Sequence, residues 1–284
     1  MKIAVFDDFR LGVVVADDVV DITPLLPDVD PDLRPHLLPV LISQYDSVKA
    51  LLVDPSGPRK PLSSVRLRAA CPAPRNFLAA PLNYLDHSAE MLSSTRSAAT
   101  AKELGFFVKA AGSLCGASDN VELPDLPGRR FDHEAEIGVV IGRPAQGVSR
   151  ANALDYVFGY TLVVDATMRM TESQREERTF RKSFATFGPC GPWIVTADEA
   201  GDPAQMQIRL SVNGELRQDG KTADLIVDVP GLIEQASAVL PLLPGDLIAT
   251  GTPAGVGELH PGDEIVVSSP QIGSMTMTVR RRAW

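Results

Sequence analysis

The sequence predicts an α+β fold in which strands dominate. Two observations support this prediction. Strand-like segments outnumber helical ones, and the two kinds do not alternate along the chain as they would in a doubly wound sheet. The chain also contains no internal repeat and no low-complexity tract. At 284 residues it is long enough for one large domain and a small additional one.

Two domains are predicted, a small N-terminal one over residues 1–70 and a larger one over residues 71–284. Pro72 and Pro74 mark the boundary between them. In the small domain we expect a strand, its hairpin partner and, after a proline-rich stretch that disfavours helix, one amphipathic helix. These three elements are placed at residues 2–6, 12–15 and 40–52.

Short strands are predicted to make up most of the larger domain, together with three helices. The helices are expected at residues 85–95, 150–156 and 229–238, the last with apolar residues at helical spacing. The strands are expected at residues 76–80, 106–109, 133–142, 158–165, 191–195, 207–212, 246–250, 264–268 and 274–281.

Composition argues against several classes of protein. The net charge is −9 without a cluster of basic residues, which disfavours nucleic acid as a partner. No segment reaches the roughly 18 apolar residues of a membrane span, and the first residues lack the pattern of an export signal. The three cysteines are far apart and odd in number, as expected of reduced thiols in the cytoplasm.

Three carboxylates lie inside apolar, strand-like segments. Glu134 and Glu136 open the run Glu-Ala-Glu-Ile-Gly-Val-Val-Ile-Gly, where alternate side chains share one face of a strand. Asp165 lies in a second such run. Buried carboxylates must be paired, hydrogen-bonded or bound to a metal. Since no basic residue stands between these three, the pattern suggests a hard divalent ion; pairing with unrecognised basic residues is the alternative.

Two further motifs have candidate roles in the chemistry. His87 and Glu90 are three residues apart on a predicted helix, so both side chains lie on one face within hydrogen-bond reach, and a carboxylate partner raises the basicity of a histidine. A surface pair would have the same spacing. The glycine-rich stretch 251–257 is followed by neither the Lys-Ser or Lys-Thr of a phosphate loop nor a helix start, so a close-approach loop or a structural hairpin loop is expected.

Six blocks of sequence, in order, resemble the fumarylacetoacetate hydrolase superfamily, in particular its shorter bacterial members. The resemblance implies a mixed β-sandwich roll with a small N-terminal α/β domain, assembled as a homodimer. It also implies a Mg²⁺ or Mn²⁺ site, with Ca²⁺ as a further candidate, that acts on a small 2-oxo or dicarbonyl acid. The six blocks are residues 81–90, 132–142, 159–169, 181–193, 212–220 and 244–257.

The resemblance implies a role for individual residues. Glu134, Glu136 and Asp165 match the metal-binding carboxylates of the family, and an all-oxygen set suits Mg²⁺ or Mn²⁺ better than zinc. The catalytic group would comprise His87 and Glu90, which activate water in relatives, and Lys182, which stabilises the negative charge formed when a carbon–carbon bond breaks. The expected substrate-binding residues are Asn83, Tyr84, Arg169, Gly251 and Thr252.

Some of these assignments have alternatives. Lys182 stands among several arginines and would also fit a solvated surface lysine, and Arg169 would also fit a structural partner of Glu172 or Glu176. The longer relatives supply a fourth metal carboxylate where this chain has Leu78-Ala79-Ala80.

The function expected from the sequence is hydrolysis of a carbon–carbon bond in a 1,3-dicarbonyl or acylpyruvate-type acid by a metal-dependent enzyme. The same site would also serve a 2-oxo acid decarboxylase or a 2-hydroxydienoate isomerase of aromatic catabolism, since both need only enolate stabilisation and proton transfer. The alternative of another class is a metal-binding protein without catalysis.

Overall fold

The structure is a computed structural model that describes residues 1–87 and 99–282. Within these residues the strands form three sheets, and the predicted α+β class is confirmed. The strands are β1 (Lys2–Phe6), β2 (Arg10–Val15), β3 (Asp18–Asp21), β4 (Arg59–Pro61), β5 (Phe77–Ala79), β6 (Phe107–Val108), β7 (Leu114–Cys115), β8 (Val121–Leu123), β9 (Phe131–His133), β10 (Ala135–Ile141), β11 (Val157–Val164), β12 (Thr167–Met168), β13 (Gly188–Thr196), β14 (Gln207–Val212), β15 (Glu215–Lys221), β16 (Leu247–Ala249), β17 (Gly257–Glu258), β18 (Glu264–Ser269) and β19 (Gly273–Arg281).

Helices are short and lie around the sheets. The α-helices are α1 (Leu37–Val53), α2 (Ala101–Leu104), α3 (Arg178–Lys182), α4 (Ala197–Ala200) and α5 (Val229–Val239). Residues 85–87 are also helical. The rest of the helix predicted at 85–95, residues 88–95, lies outside the described residues. The 3₁₀ helices are Thr23–Leu25, Pro31–His36, Leu62–Ser64, Ala111–Ser113, Arg150–Tyr156, Pro203–Gln205 and Thr222–Asp224.

The largest sheet extends from the N-terminal strands to the centre of the molecule. Its strands follow the order β4-β3-β2-β1-β13-β11-β10-β16-β5-β6, and β7 pairs with β13. Every residue of β10 is buried, which explains its almost continuous apolar sequence, because a strand covered on both faces has no solvent side to mark with polar residues. The other sheets have the orders β12-β9-β17 and β15-β14-β18-β19-β8.

Residues from both predicted domains share one sheet and one hydrophobic core. β1 pairs antiparallel with β13, with Lys2 opposite Val195, and the core around α1 includes residues such as Val163 and Leu247. The boundary at residue 70 falls between β4 and β5. The division into two domains therefore stays a prediction.

Two predicted strands differ from the observed ones at a carboxylate: one is interrupted there and the other ends just before it. The predicted strand 133–142 is interrupted at Glu134, because residues 131–133 belong to β9 in the three-stranded sheet and β10 begins at Ala135. Likewise β11 ends at Val164, and β12 begins only at Thr167 after Asp165. Glu134 and Asp165 thus lie where the chain passes from one sheet to another.

The remaining differences concern short elements and the seven-residue strand β15, whose polar and mostly exposed sequence was not predicted to be a strand. Residues 150–156 form a 3₁₀ helix where an unspecified helix was predicted, and α1 starts at Leu37, three residues before the predicted start. Pro39 is tolerated there because it lies in the first turn of the helix, where a backbone N–H has no acceptor within the helix. Strands such as β12 and β17 have two residues each and leave no periodic pattern that would predict them.

Two further observations concern the cysteines and the helices. Cys71, Cys115 and Cys190 are free and buried. Among residues 1–87 and 99–282, no helix has the length and apolarity needed to cross a membrane.

Asp246 connects the turn before β16 with the segment before β5. This fully buried carboxylate accepts hydrogen bonds from the backbone N–H and side-chain amide of Asn76 at 2.8 and 2.7 Å and from the N–H of Leu243 at 2.8 Å. It follows the turn predicted from Pro-Gly-Asp at 244–246. The contact therefore holds in place two neighbouring strands that lead to the site described below.

We expect Asp246→Ala to lower the free energy of unfolding by about 2 kcal/mol, because three donors on the half-buried residues Asn76 and Leu243 lose their buried acceptor. Urea unfolding followed by circular dichroism measures the change. Asp28→Ala is the matched control, since Asp28 is exposed. Equal stability of the two variants would contradict the role given to Asp246.

Candidate metal centre and active site

The sheet topology brings four segments of the chain to one edge of the main sheet. β5 and β16 run parallel, so the segments that follow them, with His87 and Thr252, leave at the same end. β10 is antiparallel to β16 and β11 is antiparallel to β10. The start of β10 and the end of β11 therefore lie at this edge as well, and they carry the three carboxylates.

Glu134, Glu136 and Asp165 form a compact buried cluster. One carboxylate oxygen from each lies within 4.8 Å of the others. The backbone supports this arrangement, because the N–H of Asp165 donates to the carbonyl of Glu134 at 2.8 Å. The sequence analysis anticipated a cluster of these three residues.

Two buried lysines contact the cluster, which corrects the expectation that no basic residue stands among the carboxylates. The Nζ of Lys182 lies 2.7 Å from Glu134 Oε2 and 2.5 Å from Asp165 Oδ2. The Nζ of Lys109 lies 2.5 Å from Asp165 Oδ1 and is almost fully buried. Lys182 is thus not a solvated lysine. Lys109 was missed because it closes a short apolar strand-like segment without any motif.

Arg169 forms a third contact with the carboxylates. Its guanidinium donates to Asp132 Oδ2 at 2.6 Å and to Glu134 Oε1 at 2.7 Å. The alternative pairing with Glu176 does not occur, because the carboxylate of Glu176 is bound by both terminal nitrogens of Arg129. Arg169 therefore orients Glu134 while it borders the cavity.

The charges have opposite effects on the two glutamates. Burial opposes ionisation of Glu134, but the Lys182 and Arg169 cations outweigh it and lower the pKa of Glu134. Burial, reinforced by the charges of Asp165 and Glu134, raises the pKa of Glu136. Among the described residues, Glu136 has no basic partner at hydrogen-bond distance; it accepts only the N–H of Gly251, at 2.8 Å.

The donor set fits a hard divalent ion. Three buried carboxylates with oxygens in mutual reach are the ligands that Mg²⁺ and Mn²⁺ prefer. The charge of Glu136, which the lysines leave uncompensated, is the specific feature that such an ion would neutralise.

A cavity of about 290 Å³ opens above the cluster. His87 borders it and is 4% exposed. Its predicted partner Glu90 is outside the described residues. Four cations and three carboxylates line the cavity together with His87, Thr252 and apolar side chains. The lining residues are Ala80, Pro81, Leu82, His87, Phe107, Glu134, Glu136, Asp165, Arg169, Met170, Arg178, Arg181, Lys182 and Thr252.

Gln218, a buried residue that the sequence analysis did not select, holds the loop with Thr252 against the start of β10. Its amide nitrogen donates to Thr252 Oγ1 at 2.7 Å and to the carbonyl of Pro253 at 2.8 Å. Its oxygen accepts the N–H of Ala135 at 3.0 Å. Because Gln218 donates to the hydroxyl, the hydrogen of Thr252 remains available to an acceptor in the cavity.

Asn83 and Tyr84 are buried and are not among the residues that line the cavity, so their contact with a substrate stays a prediction. The amide nitrogen of Asn83 donates to the carbonyls of Val227 and Thr250, both at 2.8 Å, and its oxygen accepts the N–H of Val227. Both residues are almost completely enclosed. Asn83 thus uses its whole side chain to join three segments of backbone.

Gly251 lets the loop approach this asparagine. Its φ of +95° disfavours any other residue, and a Cβ at this position would lie 2.7 Å from the Cβ of Asn83. The glycine therefore brings its own N–H to Glu136 and places Thr252 at the cavity.

Comparisons with known proteins point to one family. Residues 76–280 match the family model described as fumarylacetoacetate (FAA) hydrolase C-terminal. The chain is 40% identical to a maleylpyruvate hydrolase of Aquipseudomonas alcaligenes over 99% of both chains.

Solved structures give the same result. A maleylpyruvate hydrolase from Sphingobium sp. SYK-6, in complex with manganese(II) and pyruvate, superimposes with a TM-score of 0.86 at 39% identity over the full length of both chains. A 2-hydroxyhepta-2,4-diene-1,7-dioate isomerase from Mycobacterium marinum superimposes with a TM-score of 0.75 at 30% identity, again over both full chains.

Replacing Glu136 tests the carboxylate cluster as a metal site. Without metal, Glu136→Gln should raise the melting temperature by about 2–4 °C, because burial beside Asp165 and Glu134 makes ionisation of Glu136 unfavourable and a neutral amide avoids this cost. The wild-type protein should gain stability on addition of Mn²⁺, and the variant should not. Differential scanning calorimetry with and without Mn²⁺ measures both effects.

Glu258→Gln is the matched control, since Glu258 is exposed on β17. It should respond to Mn²⁺ as the wild type does. A Glu136→Gln variant that Mn²⁺ stabilises as strongly as the wild type would exclude Glu136 from the metal site.

Proposed function

The chain belongs to the fumarylacetoacetate hydrolase family, and on this premise we propose that it hydrolyses a carbon–carbon bond of an acylpyruvate-type acid with the help of Mg²⁺ or Mn²⁺. The observation that carries the proposal is the site itself. Three buried carboxylates, a lysine and a histidine border one cavity, in a chain that matches a maleylpyruvate hydrolase along its whole length. A metal that only stabilised the fold would need neither the lysine nor the histidine.

Glu134, Glu136 and Asp165 are the residues proposed to hold the ion. When bound, a divalent ion acts as a Lewis acid toward oxygen atoms of the substrate. The lysines remain necessary beside it, because Lys109 and Lys182 each neutralise an oxygen of Asp165.

His87 is proposed as the general base. A neutral imidazole ring can accept a proton from the attacking water. The oxygen of that water then bonds to the carbonyl carbon of the acyl part. Glu90 is proposed to orient the ring of His87.

Lys182 is proposed to stabilise the leaving group. When the carbon–carbon bond breaks, its electron pair passes to the pyruvate part as an enolate, which takes up a proton and becomes pyruvate; the acyl part leaves as a carboxylic acid. A fixed ammonium group beside the enolate lowers the barrier because its position does not change during the reaction. Arg169, Thr252 and the backbone at Gly251 are proposed to bind the substrate, and Asn83 and Tyr84 to support them.

Isomerisation of a 2-hydroxydienoate is the second candidate. The full-length similarity to an isomerase structure at 30% identity favours it over decarboxylation. It requires proton transfer and enolate stabilisation, but no water as nucleophile. Product analysis therefore separates it from hydrolysis.

Two further proposals concern the protein as a whole. We propose that it is a homodimer, as the family resemblance implies. We also propose the cytoplasm as its location, because three buried thiols that are free in the structure suit a reducing compartment.

Purified protein with Mn²⁺ should convert an acylpyruvate such as acetylpyruvate to pyruvate and a carboxylic acid, and EDTA should abolish the conversion. Loss of the ultraviolet absorbance of the substrate and chromatography of the products measure it. A hydroxydienoate that isomerises while acylpyruvates remain intact would favour the second candidate and refute hydrolysis.

The base is tested separately. His87→Ala should lower kcat by about 100-fold or more, since this is the usual contribution of a general base. It should retain the stabilisation by Mn²⁺, because the three carboxylates are unchanged. His260→Ala, at an exposed position, should behave as the wild type. Full activity of His87→Ala would refute the assignment.

Light scattering coupled to gel filtration tests the assembly. A homodimer has twice the mass of the 30.5 kDa chain. A single species at the mass of one chain would refute the proposed dimer.

A further inference from the structure

We propose that Arg178 binds a second carboxylate of the substrate, so that the preferred substrate is an acylpyruvate whose acyl part ends in a carboxylate. This inference rests on the proposed function. It assigns Arg178, which no motif selected, as the residue that distinguishes dicarboxylic from monocarboxylic substrates.

Arg178 lines the same cavity as the three carboxylates. It is the first residue of α3, and Lys182 is four residues further on the same face of this helix. The guanidinium carbon of Arg178 and the Nζ of Lys182 each lie 5.3 Å from the centroid of the Phe107 ring. The two positive charges are therefore separated by at most twice that distance, a span suited to a small dicarboxylic acid.

The other three cations of the cavity are already engaged. Arg169 binds two carboxylates, and Lys182 binds Glu134 and Asp165. Arg181 donates to the backbone carbonyls of Glu176 and Met168, at 3.0 and 3.1 Å. Each of these side chains thus has an internal role that limits its use for a ligand.

Arg178 differs from them. Within residues 1–87 and 99–282, its guanidinium forms no hydrogen bond or ion pair; the adjacent carboxylate of Glu177 accepts instead from the N–H of Thr179 at 2.6 Å. The half-buried guanidinium lies over the ring of Phe107, a cation–π contact that uses none of its N–H groups. An arginine held in this way is suited to bind a carboxylate through two parallel hydrogen bonds.

The total charge also favours a ligand with two carboxylates. Four cations and three carboxylates line the cavity, and a divalent ion at the cluster would add two positive charges. A dianionic substrate is therefore better matched to the cavity than a monoanion. The lining also includes apolar side chains that suit a carbon chain, among them Phe107, Met170 and Leu82.

Paired substrates test the proposal. Succinylpyruvate and butanoylpyruvate have the same number of carbons and differ in a terminal carboxylate or methyl group. The wild-type enzyme with Mn²⁺ should prefer succinylpyruvate in kcat/KM by about tenfold or more, as expected for a charged hydrogen-bonded pair. Arg178→Gln should lower this ratio by about tenfold or more, mainly through KM, and Arg178→Lys should restore part of it.

Arg175→Gln is the matched control, because Arg175 is an exposed arginine three residues before Arg178. It should keep the wild-type ratio. A wild-type enzyme without preference, or an Arg178→Gln variant that loses activity equally on both substrates, would overturn the proposal.

Binding measured by calorimetry separates this inference from the hydrolase function. Protein loaded with Mn²⁺ should bind 2-oxoadipate more tightly than 2-oxohexanoate, and Arg178→Gln should abolish this difference. If the wild type hydrolyses neither acylpyruvate but shows this binding pattern, hydrolysis is refuted and Arg178 keeps its role. If hydrolysis occurs while the two acids bind equally well, Arg178 is refuted and hydrolysis stands.

Discussion

Compensation of buried negative charge is the constraint on which the site depends. Glu134, Glu136 and Asp165 meet in a volume from which water is largely excluded, and such a cluster is unstable without cations. Lys182 and Lys109 neutralise Asp165, and Lys182 also neutralises Glu134. The remaining charge on Glu136 is what makes the cluster a site for a divalent ion and not a closed network of ion pairs.

The surrounding structure consists largely of contacts that keep these charges in place. Glu134 and Asp165 lie where the chain passes from one sheet to another, and neither residue belongs to a strand. Gln218, Asn83 and Gly251 then join the neighbouring loops through buried hydrogen bonds. Little of this polar network faces solvent, so its geometry is set before a ligand arrives, as electrostatic catalysis requires.

The family and the composition of the site were predictable from the sequence to different degrees. The six blocks were sufficient to identify the family. The three carboxylates predicted to bind the metal and His87, predicted to activate water, border one cavity. The carboxylates were recognised because a charge inside an apolar run is conspicuous. Lys109 and Gln218 carry no such signal, since a lysine after a short strand or a glutamine inside a polar strand usually faces solvent. Asn83 was recognised, but its contacts with the backbone could be seen only in the structure.

By itself, the sequence determined the longer apolar strands, the chemical identity of the donor groups and the presence of a hydrophobic core around them. Periodicity and composition are local properties of the chain, so they can be recognised in the sequence without knowledge of the fold. Only the tertiary structure decided which cations meet which carboxylates. Lys109 contacts Asp165 across 56 positions of the chain, and Arg178 remains without an ion pair among the described residues. Such pairings depend on how the strands are ordered in the sheet, and that order is set by the packing of the whole molecule.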